Sequence, residues 1–216
     1  MPHEITVASI NALIPDHPYF SDSSPQADRI EGMVSAIAAL KFRPDVIAMC
    51  EVEESDKTNS GEVIAASLGY EHSLWTSYRG GTGKIGLISD SVDLVNFRKV
   101  DDGSVLVEAA LQGVPIVGVH LPFGFGRESR AARSAQLRLV GARNKQSPKG
   151  IVVGDLNSLT TERSRKQLTD QGYISAFDVS GQKRQRTVPT DQYMRMLPVW
   201  YQLGSKLLGN FLSPDD

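Results

Sequence analysis

The chain has 216 residues, of which 40% are hydrophobic and 22% are charged, and its net charge is -2. This size and composition predict a single globular domain over residues 1–216 and exclude a disordered chain. The only cysteine, Cys50, excludes an internal disulfide and a cysteine-based metal site.

The N-terminal sequence and the apolar segments bear on where the protein works. The first residues, MPHEITVASINAL, lack the basic start and apolar block of a signal peptide, and no apolar run reaches membrane-spanning length. We therefore expect a cytoplasmic protein without a transmembrane segment.

Charge is divided unevenly along the chain. Residues 1–126 hold 8 Lys+Arg against 17 Asp+Glu, whereas residues 127–216 hold 15 against 8. The basic side chains of the second part are candidates for contact with a polyanion, although helices often carry such charges simply for solvation.

The first part of the chain predicts a strand, a helix and a second strand. EITVASINAL opens as a strand, and a helix follows Ser24 as its cap and Pro25 in its first turn. Its apolar residues recur at helical spacing at Ile30, Met33, Val34 and Ile37. The short apolar run DVIAMC then indicates a central strand that is buried on both faces.

Residues 60–120 predict a short helix and two hairpins. SGEVIAASLGY indicates a helix that ends at Gly69, and EHSLWTSY with GKIGLISD indicates paired strands. The alternation in SVLVEAAL stops at Gln112 and Gly113 and resumes in a more buried strand that ends at His120.

The remaining pattern predicts a helix, a strand and another helix. SRAARSAQLRLVGAR indicates a helix whose inward face carries Ala132, Ala135, Leu139 and Val140. The strand GIVVGDLN and a helix from about Thr161 to Gln171 follow. Interleaved helices and strands, with hairpins among them, predict an α/β (α+β) fold with a mixed sheet or two packed sheets and outer helices.

Four of the predicted strands end at a polar side chain. These residues are Asn11, Glu51, His120 and the pair Asp155 and Asn157. In layered folds the ends of strands converge, and binding sites gather there. Carboxylates, amides and one imidazole suit Mg²⁺ or Mn²⁺ better than zinc, which prefers several His or Cys ligands.

Each of these residues also has an interpretation without catalysis. Asp155 and Asn157 are common turn residues that bond their own backbone and tolerate left-handed dihedral angles. His120 could be a hydrogen-bonded strand residue, and Asn11 could cap a loop. A buried carboxylate after VIAMC needs a cation or hydrogen-bond donors. The strand alternation does not decide whether Glu51 or Glu53 is that carboxylate, because both would lie on the same face.

The polar strand ends lie in blocks that resemble the endonuclease/exonuclease/phosphatase superfamily, which includes pancreatic-type deoxyribonucleases and abasic-site endonucleases. VASINA resembles its first strand, and DVIAMCEV its Asp-x-x-x-x-x-Glu-Val strand. GVHL resembles the strand with the first active-site His, RSAQL the Arg-x-x-Gln helix, and VVGDLNS the Gly-Asp-x-Asn signature. The order and spacing of these blocks, over roughly residues 4–190, carry the resemblance.

The resemblance implies a four-layer sandwich of two packed mixed β-sheets flanked by helices, and a hydrolase of phosphate ester bonds. It selects Glu51, assisted by Asn11, as the ligand of Mg²⁺, with Mn²⁺ as an alternative. His120 and Asn157 would donate hydrogen bonds to the phosphoryl oxygens, and Asp155 would orient or deprotonate the attacking water.

The end of the chain departs from the family pattern. The family closes with a Ser-Asp-His block, but the four histidines here are His3, His17, His72 and His120, so none follows Asn157. Asp191 and Asp215 are weak candidates for the missing acids. Residues 191–216 are therefore atypical, and we expect either a variant family member or a chain that ends before that block.

Several functions stay open at this point. The first is a phosphodiesterase or nuclease, endonuclease or exonuclease, with nucleic acid marginally preferred as the substrate. Its substrate-binding candidates are Arg127, Arg130, Arg184 and Arg186. An inositol-phosphate or lipid-headgroup phosphatase is the alternative within the enzyme class.

A non-catalytic metal-binding or anion-binding module of the same fold is the second hypothesis. GFGRES, which lacks the third glycine of a dinucleotide fingerprint, argues against a nucleotide-binding unit.

Overall fold

The computed structural model of the chain describes residues 5–12, 26–52, 59–77, 84–90, 98–99, 105–122, 126–144, 150–157 and 163–180. Two compact units are distinguished. The first comprises residues 1–14 and 24–174, and the second comprises residues 15–23 and 175–216. Among the described residues, no helix has both the length and the apolar character that crossing a bilayer requires.

The described part of the first unit holds eight strands and four helices. In chain order they are β1 (Val7–Asn11), α1 (Gln26–Ala38), β2 (Val46–Val52), α2 (Ser60–Ser67), β3 (His72–Ser77), β4 (Lys84–Ser89), β5 (Arg98–Lys99), β6 (Val105–Leu111), β7 (Val114–His120), α3 (Arg127–Asn144), β8 (Ile151–Asp155) and α4 (Arg163–Asp170). In the second unit the described element is α5 (Ala176–Ser180).

The strands form two sheets of four strands with related connections. The first has the order β1-β2-β4-β3, and the second has the order β5-β6-β7-β8. Each sheet contains one parallel pair, β1 with β2 and β7 with β8, while the other pairs are antiparallel. Helices α1 and α3 lie in the crossovers of the two parallel pairs, since parallel strands need a long connection. Each parallel pair lies at one edge of its sheet.

Three apolar clusters hold these layers together. The central cluster joins the facing sides of the two sheets and includes Ala48, Leu87, Val107 and Ile116. A second cluster packs α1 and α2 on the outer face of the first sheet, and a third packs α3 and α4 on the outer face of the second. The predicted α+β class, two mixed sheets between outer helices, is thereby confirmed.

Individual elements also follow the sequence pattern. Strand β2 is buried along nearly its whole length, as its continuous apolar run predicts. The β6–β7 hairpin turns at Gln112 and Gly113, whose φ angles of 53° and 76° belong to a type I′ turn. The predicted cap of α1 at Ser24 and Pro25 lies outside the described residues. The single domain over residues 1–216 stays a prediction, because residues 181–216 also lie outside them.

The predicted inward face of α3 is partly wrong. Val140 is buried, but Leu139 is 42% exposed, and Arg133, Gln136 and Leu137 are buried instead. The true buried face includes two polar side chains, which an apolar periodicity cannot detect. Arg133 can be buried because its Nη1 donates to a backbone carbonyl, that of Pro122, at 2.7 Å.

Candidate metal and phosphoester site

The polar strand ends converge where the parallel pairs of the two sheets meet. In the first sheet, Asn11 lies at the end of β1, and Glu51 is the penultimate residue of β2. In the second, His120 and Asp155 end β7 and β8 and are register partners. Strands β1 and β8 contact each other across the two sheets. Four strand ends from two sheets therefore supply one cluster.

The amide of Asn11 joins the two carboxylates of this cluster. Its Nδ2 donates to Glu51 Oε1 at 3.2 Å and to Asp155 Oδ2 at 3.3 Å. Because the amide nitrogen carries two hydrogens, it can serve both carboxylates at once and fix their separation. The amide oxygen of Asn11 is the atom that could serve as a metal ligand, and that role stays a prediction.

Glu51 is held in an uncommon backbone conformation. Its φ is 55°, and the register of β2 with β4 shifts between Met49 and Val52, which marks a β-bulge. A bulge redirects one side chain from the regular alternation. At Glu51 the carboxylate is only 13% exposed, and Oε1 lies 3.5 Å from Nε2 of His120. The alternation alone could not choose Glu51, because the bulge breaks that alternation.

The segment from Gly154 to Asn157 forms a turn and also supplies Asp155 to the cluster. The backbone N–H of Asn157 donates to Asp155 Oδ1 at 2.8 Å, and Asn157 has a φ of 44°. These are the marks of an Asx turn. The same Asp155 carboxylate receives the Asn11 amide on its other oxygen. The turn interpretation is therefore confirmed, and Asp155 nevertheless lies in the cluster.

Asn157 braces the neighbouring strand end through its side chain. Its Nδ2 donates to the carbonyl oxygen of Leu121 at 2.8 Å, directly after His120. One hydrogen of an amide nitrogen suffices for this bond, so the second stays compatible with the predicted contact to a phosphoryl oxygen.

Burial governs the protonation of the groups around the cluster. Burial lowers the pKa of His120 below its ordinary value of 6.5, although the charges of Asp155 and Glu51 act in the opposite direction. A neutral imidazole is therefore favoured at neutral pH. Beneath the cluster, burial raises the pKa of Cys50 to about 12, so its thiol is protonated and inert.

The donor set fits a divalent cation. Glu51, His120 and Asp155 each offer one ligand atom, and these atoms lie within 4.8 Å of one another. Two carboxylates at this separation repel each other unless a cation or hydrogen-bond donors compensate. The mixture of oxygen donors and a single imidazole suits Mg²⁺ or Mn²⁺ more than a structural zinc ion.

The predicted basic contacts are only partly described. Arg127 and Arg130 are exposed and lie in the first turn of α3. This helix is the next element of the chain after β7, which ends at His120. Arg184, Arg186 and the acids Asp191 and Asp215 lie outside the described residues.

Two arginines behind the site were not predicted. Arg29 Nη2 donates to the Ala12 carbonyl at 3.0 Å, and Arg133 Nη1 donates to the Pro122 carbonyl. The Arg-x-x-Gln block was a signal for Arg133. For Arg29 the sequence offered none, since a lone arginine in an amphipathic helix indicates solvation.

A model of the Endonuclease/Exonuclease/phosphatase family matches residues 9–205. The chain belongs to this family. The matched segment contains all five polar strand-end residues, so the family resemblance of the sequence is confirmed. No curated protein matches the chain.

Solved structures of similar fold include three that illustrate the Endonuclease/Exonuclease/phosphatase family. The human Nocturnin catalytic domain with bound sulfate is 17% identical, with a TM-score of 0.59 over 84% of this chain and 77% of Nocturnin. D. rerio TDP2 complexed with a single strand DNA product is 16% identical, with a TM-score of 0.56 over 86% of this chain and 78% of TDP2. ANGEL2, described as a 2',3'-cyclic phosphatase, is 16% identical, with a TM-score of 0.58 over 85% of this chain and 62% of ANGEL2.

Across the TDP2, Nocturnin and ANGEL2 chains, the share that this chain spans ranges from 48% to 78%. At identities of 16–17%, the similarity to these three structures shows a common fold and no more. Family membership and the clustered carboxylates together make an enzyme of the metal-dependent phosphoesterase class plausible.

Proposed function

We propose that the protein hydrolyses phosphate ester bonds with a divalent metal ion, as a phosphodiesterase that acts on nucleic acid. The observation that carries this proposal is the convergence of Asn11, Glu51, His120 and Asp155 at the ends of four strands, with ligand atoms of the last three within 4.8 Å. The family match supports the reaction class. The product named in the TDP2 structure, single strand DNA, supports nucleic acid as the first substrate to test.

Each side chain has a chemical task in this proposal. Glu51 and the amide oxygen of Asn11 would hold Mg²⁺ or Mn²⁺, and Asp155 would be a further ligand, since its ligand atom lies within 4.8 Å of that of Glu51. A bound divalent ion neutralises the negative charge that builds up on the phosphoryl group. His120 and Asn157 donate hydrogen bonds to the phosphoryl oxygens, where preorganised donors stabilise the transition state.

Asp155 orients the attacking water or accepts its proton. Both of its oxygens are held, Oδ1 by the Asn157 backbone N–H and Oδ2 by the Asn11 amide. A carboxylate fixed in this way loses little rotational freedom when it binds water, which favours a well-oriented attack.

The primary experiment measures hydrolysis of supercoiled plasmid, of an end-labelled single-stranded oligonucleotide and of bis-p-nitrophenyl phosphate, with Mg²⁺, with Mn²⁺ and with EDTA. Nicked plasmid indicates endonuclease action, and stepwise shortening of the oligonucleotide indicates exonuclease action. We expect metal-dependent turnover that Glu51→Gln and Asp155→Asn each reduce by about 100-fold or more. Glu31→Gln, an exposed carboxyl on α1, is the matched control. Equal turnover in all variants would overturn the proposal.

Arg127 and Arg130 are proposed to contact phosphates of a long substrate, together with Arg184 and Arg186. Replacing Arg127 and Arg130 with Ala should raise KM for DNA and weaken its salt dependence, with less effect on the small chromogenic substrate. Arg138→Ala, exposed on the same helix, is the control. Unchanged KM values with inositol polyphosphate preferred over DNA would favour the inositol-phosphate alternative.

A second candidate function is a metal-binding or anion-binding module without turnover. The observation that favours it is that the cluster of Glu51, His120 and Asp155 offers groups that can bind a cation whether or not turnover follows. Titration of Mn²⁺ and inorganic phosphate into the folded protein separates the two candidates. Binding without turnover supports the module, and turnover excludes it.

A further inference from the structure

The two parallel pairs of strands leave their first strand in matching ways. After β1, the N–H of Ala12 donates to the Cys50 carbonyl at 2.8 Å. After β7, the N–H of Leu121 donates to the Asp155 carbonyl at 2.9 Å. Asn11 faces Cys50 in register, and His120 faces Asp155. Asn11 and His120 therefore occupy equivalent places in the two sheets, one residue before these bonds.

A guanidinium from each crossover helix reaches the chain shortly after Asn11 or His120, at positions that differ by one residue. Arg29 of α1 donates from Nη2 to the Ala12 carbonyl at 3.0 Å, one residue after Asn11. Arg133 of α3 donates from Nη1 to the Pro122 carbonyl at 2.7 Å, two residues after His120. Each sheet therefore has one bond of this kind from its crossover helix, with an offset of one residue between the two.

The two arginines give up solvent contact to different degrees. Arg133 is 1% exposed, and Arg29 is half-buried. Burying a guanidinium is costly, and a charged donor to a carbonyl makes a stronger bond than a neutral one. A helix needs no such residue for packing alone, since an apolar side chain of similar volume would bury more cheaply.

We infer that Arg29 and Arg133 are positioning residues that fix the chain directly after Asn11 and His120, and so hold these two side chains against Glu51 and Asp155. Arg133 acts together with Asn157, because the Asn157 amide bonds the Leu121 carbonyl next to Pro122. The effect on catalysis rests on the proposed function, whereas the effect on the backbone does not.

The backbone part is tested by amide hydrogen exchange followed by NMR in Arg29→Met and Arg133→Met. Arg29→Met should speed exchange at Ala12 at least about 10-fold and leave Leu121 unchanged, and Arg133→Met should do the converse. Arg29→Lys and Arg133→Lys keep one charged donor for one carbonyl and should restore protection. Arg43→Met, which removes a guanidinium bond to the Gly69 carbonyl away from the site, should change neither amide.

The catalytic part is tested by kcat and KM of the same variants for bis-p-nitrophenyl phosphate. Each Met variant should lower kcat by about 10- to 100-fold with little change in KM, because small displacements of reacting groups have effects of this size. The Lys variants should recover most of the rate. Ile64→Val, a buried change on α2, controls for general loss of stability.

Failure of the proposed function and failure of the positioning role give different results. Without turnover in the unsubstituted protein, the proposed function fails and the exchange data still decide the positioning role. Uniform exchange increases across both sheets, or Lys variants as impaired as Met variants, would overturn the inference. If Arg133→Met does not fold, Arg133→Gln provides a neutral donor of shorter reach, and the half-buried Arg29 supplies an independent arm.

Discussion

At the scale of single residues, Asp155 shows how one side chain serves two structural roles. Its Oδ1 closes an Asx turn with the Asn157 N–H, and its Oδ2 accepts from Asn11. The residue types and their position after an apolar run predicted a polar strand end at Asp155, and its catalytic role stays a prediction. The bond from Asn157 to the Leu121 carbonyl was not predictable, since it depends on the register of β7 against β8.

Gly154 is required by its conformation and by its surroundings. Its φ is 130°, and a Cβ built there would overlap the Val119 carbonyl oxygen. We expect Gly154→Ala to lower the free energy of unfolding by roughly 2–4 kcal/mol, measured by urea denaturation. Gly32→Ala should instead raise it by about 0.5–1 kcal/mol, because Gly32 is helical and nothing lies near its Cβ position. Equal effects at the two glycines would contradict this account.

Cys50 should make stability depend on alkaline pH. Burial raises its pKa from 9.0 to about 12, so between these values the unfolded chain releases a proton that the folded chain keeps. The folded state therefore loses stability as the pH rises through this window, by up to about 1.4 kcal/mol per pH unit.

The test compares chemical denaturation from pH 8 to pH 11 in Cys50→Ala and in the unsubstituted protein. The Ala variant should show a shallower loss, whatever its offset at pH 8. Burial also raises the pKa of Tyr70 and of Tyr173, but both proteins share these contributions. Parallel curves would show that the thiol titrates alike in both states.

At the scale of elements, α3 marks the limit of reasoning from periodicity. Its extent was predicted well, but its phase was not, because Arg133 and Gln136 lie on the buried face and Leu139 on the exposed one. Burial of a polar side chain depends on a partner that is distant in sequence, such as the Pro122 carbonyl. Within the described part of the chain, the buried Gln136 amide has no hydrogen-bond partner.

The packing of α2 on the first sheet depends on glycines that face one aromatic ring. A Cβ at Gly61 in α2, or at Gly86 in β4, would overlap the indole of Trp75 on β3. Gly61→Ala should therefore displace the indole and lower the free energy of unfolding by about 1–3 kcal/mol.

Tryptophan fluorescence in a Trp200→Phe background measures this displacement, since Trp75 is then the only emitter. A shifted emission maximum in the folded Gly61→Ala protein is expected. Val63→Ala, an exposed position on the same helix, should leave the emission unchanged. An unchanged maximum for Gly61→Ala would mean that α2 moves and the indole does not.

At the scale of the whole molecule, the site bridges two sheets, so ligand binding should stabilise their association. Glu51 comes from the first sheet, and His120 and Asp155 come from the second. The layered fold class could be predicted from the sequence, because helices, strands and hairpins are interleaved along the chain. The contact of β1 with β8 could not, because a contact between strands of different sheets leaves no local pattern in the sequence.

Under the proposed metal site, Mn²⁺ at 100 times its dissociation constant should add about 2.7 kcal/mol to the free energy of unfolding. For a chain of this size this corresponds to a rise in Tm of about 5–10 °C, which EDTA should reverse. Differential scanning calorimetry with Glu51→Gln, and with Glu31→Gln as the exposed control, tests this. A rise that survives in Glu51→Gln would place the stabilising ion elsewhere.

The bond between Asn11 and Asp155 spans 144 residues of sequence. During synthesis at about 5–20 residues per second, Asn11 therefore waits roughly 7–30 s for Asp155. Until β6 and β7 have also been made, Ala48, Cys50 and Leu87 lack the residues of the second sheet that cover them in the folded protein. The nascent chain thus exposes apolar surface, and is open to aggregation, before the residues of its polar cluster have all been made.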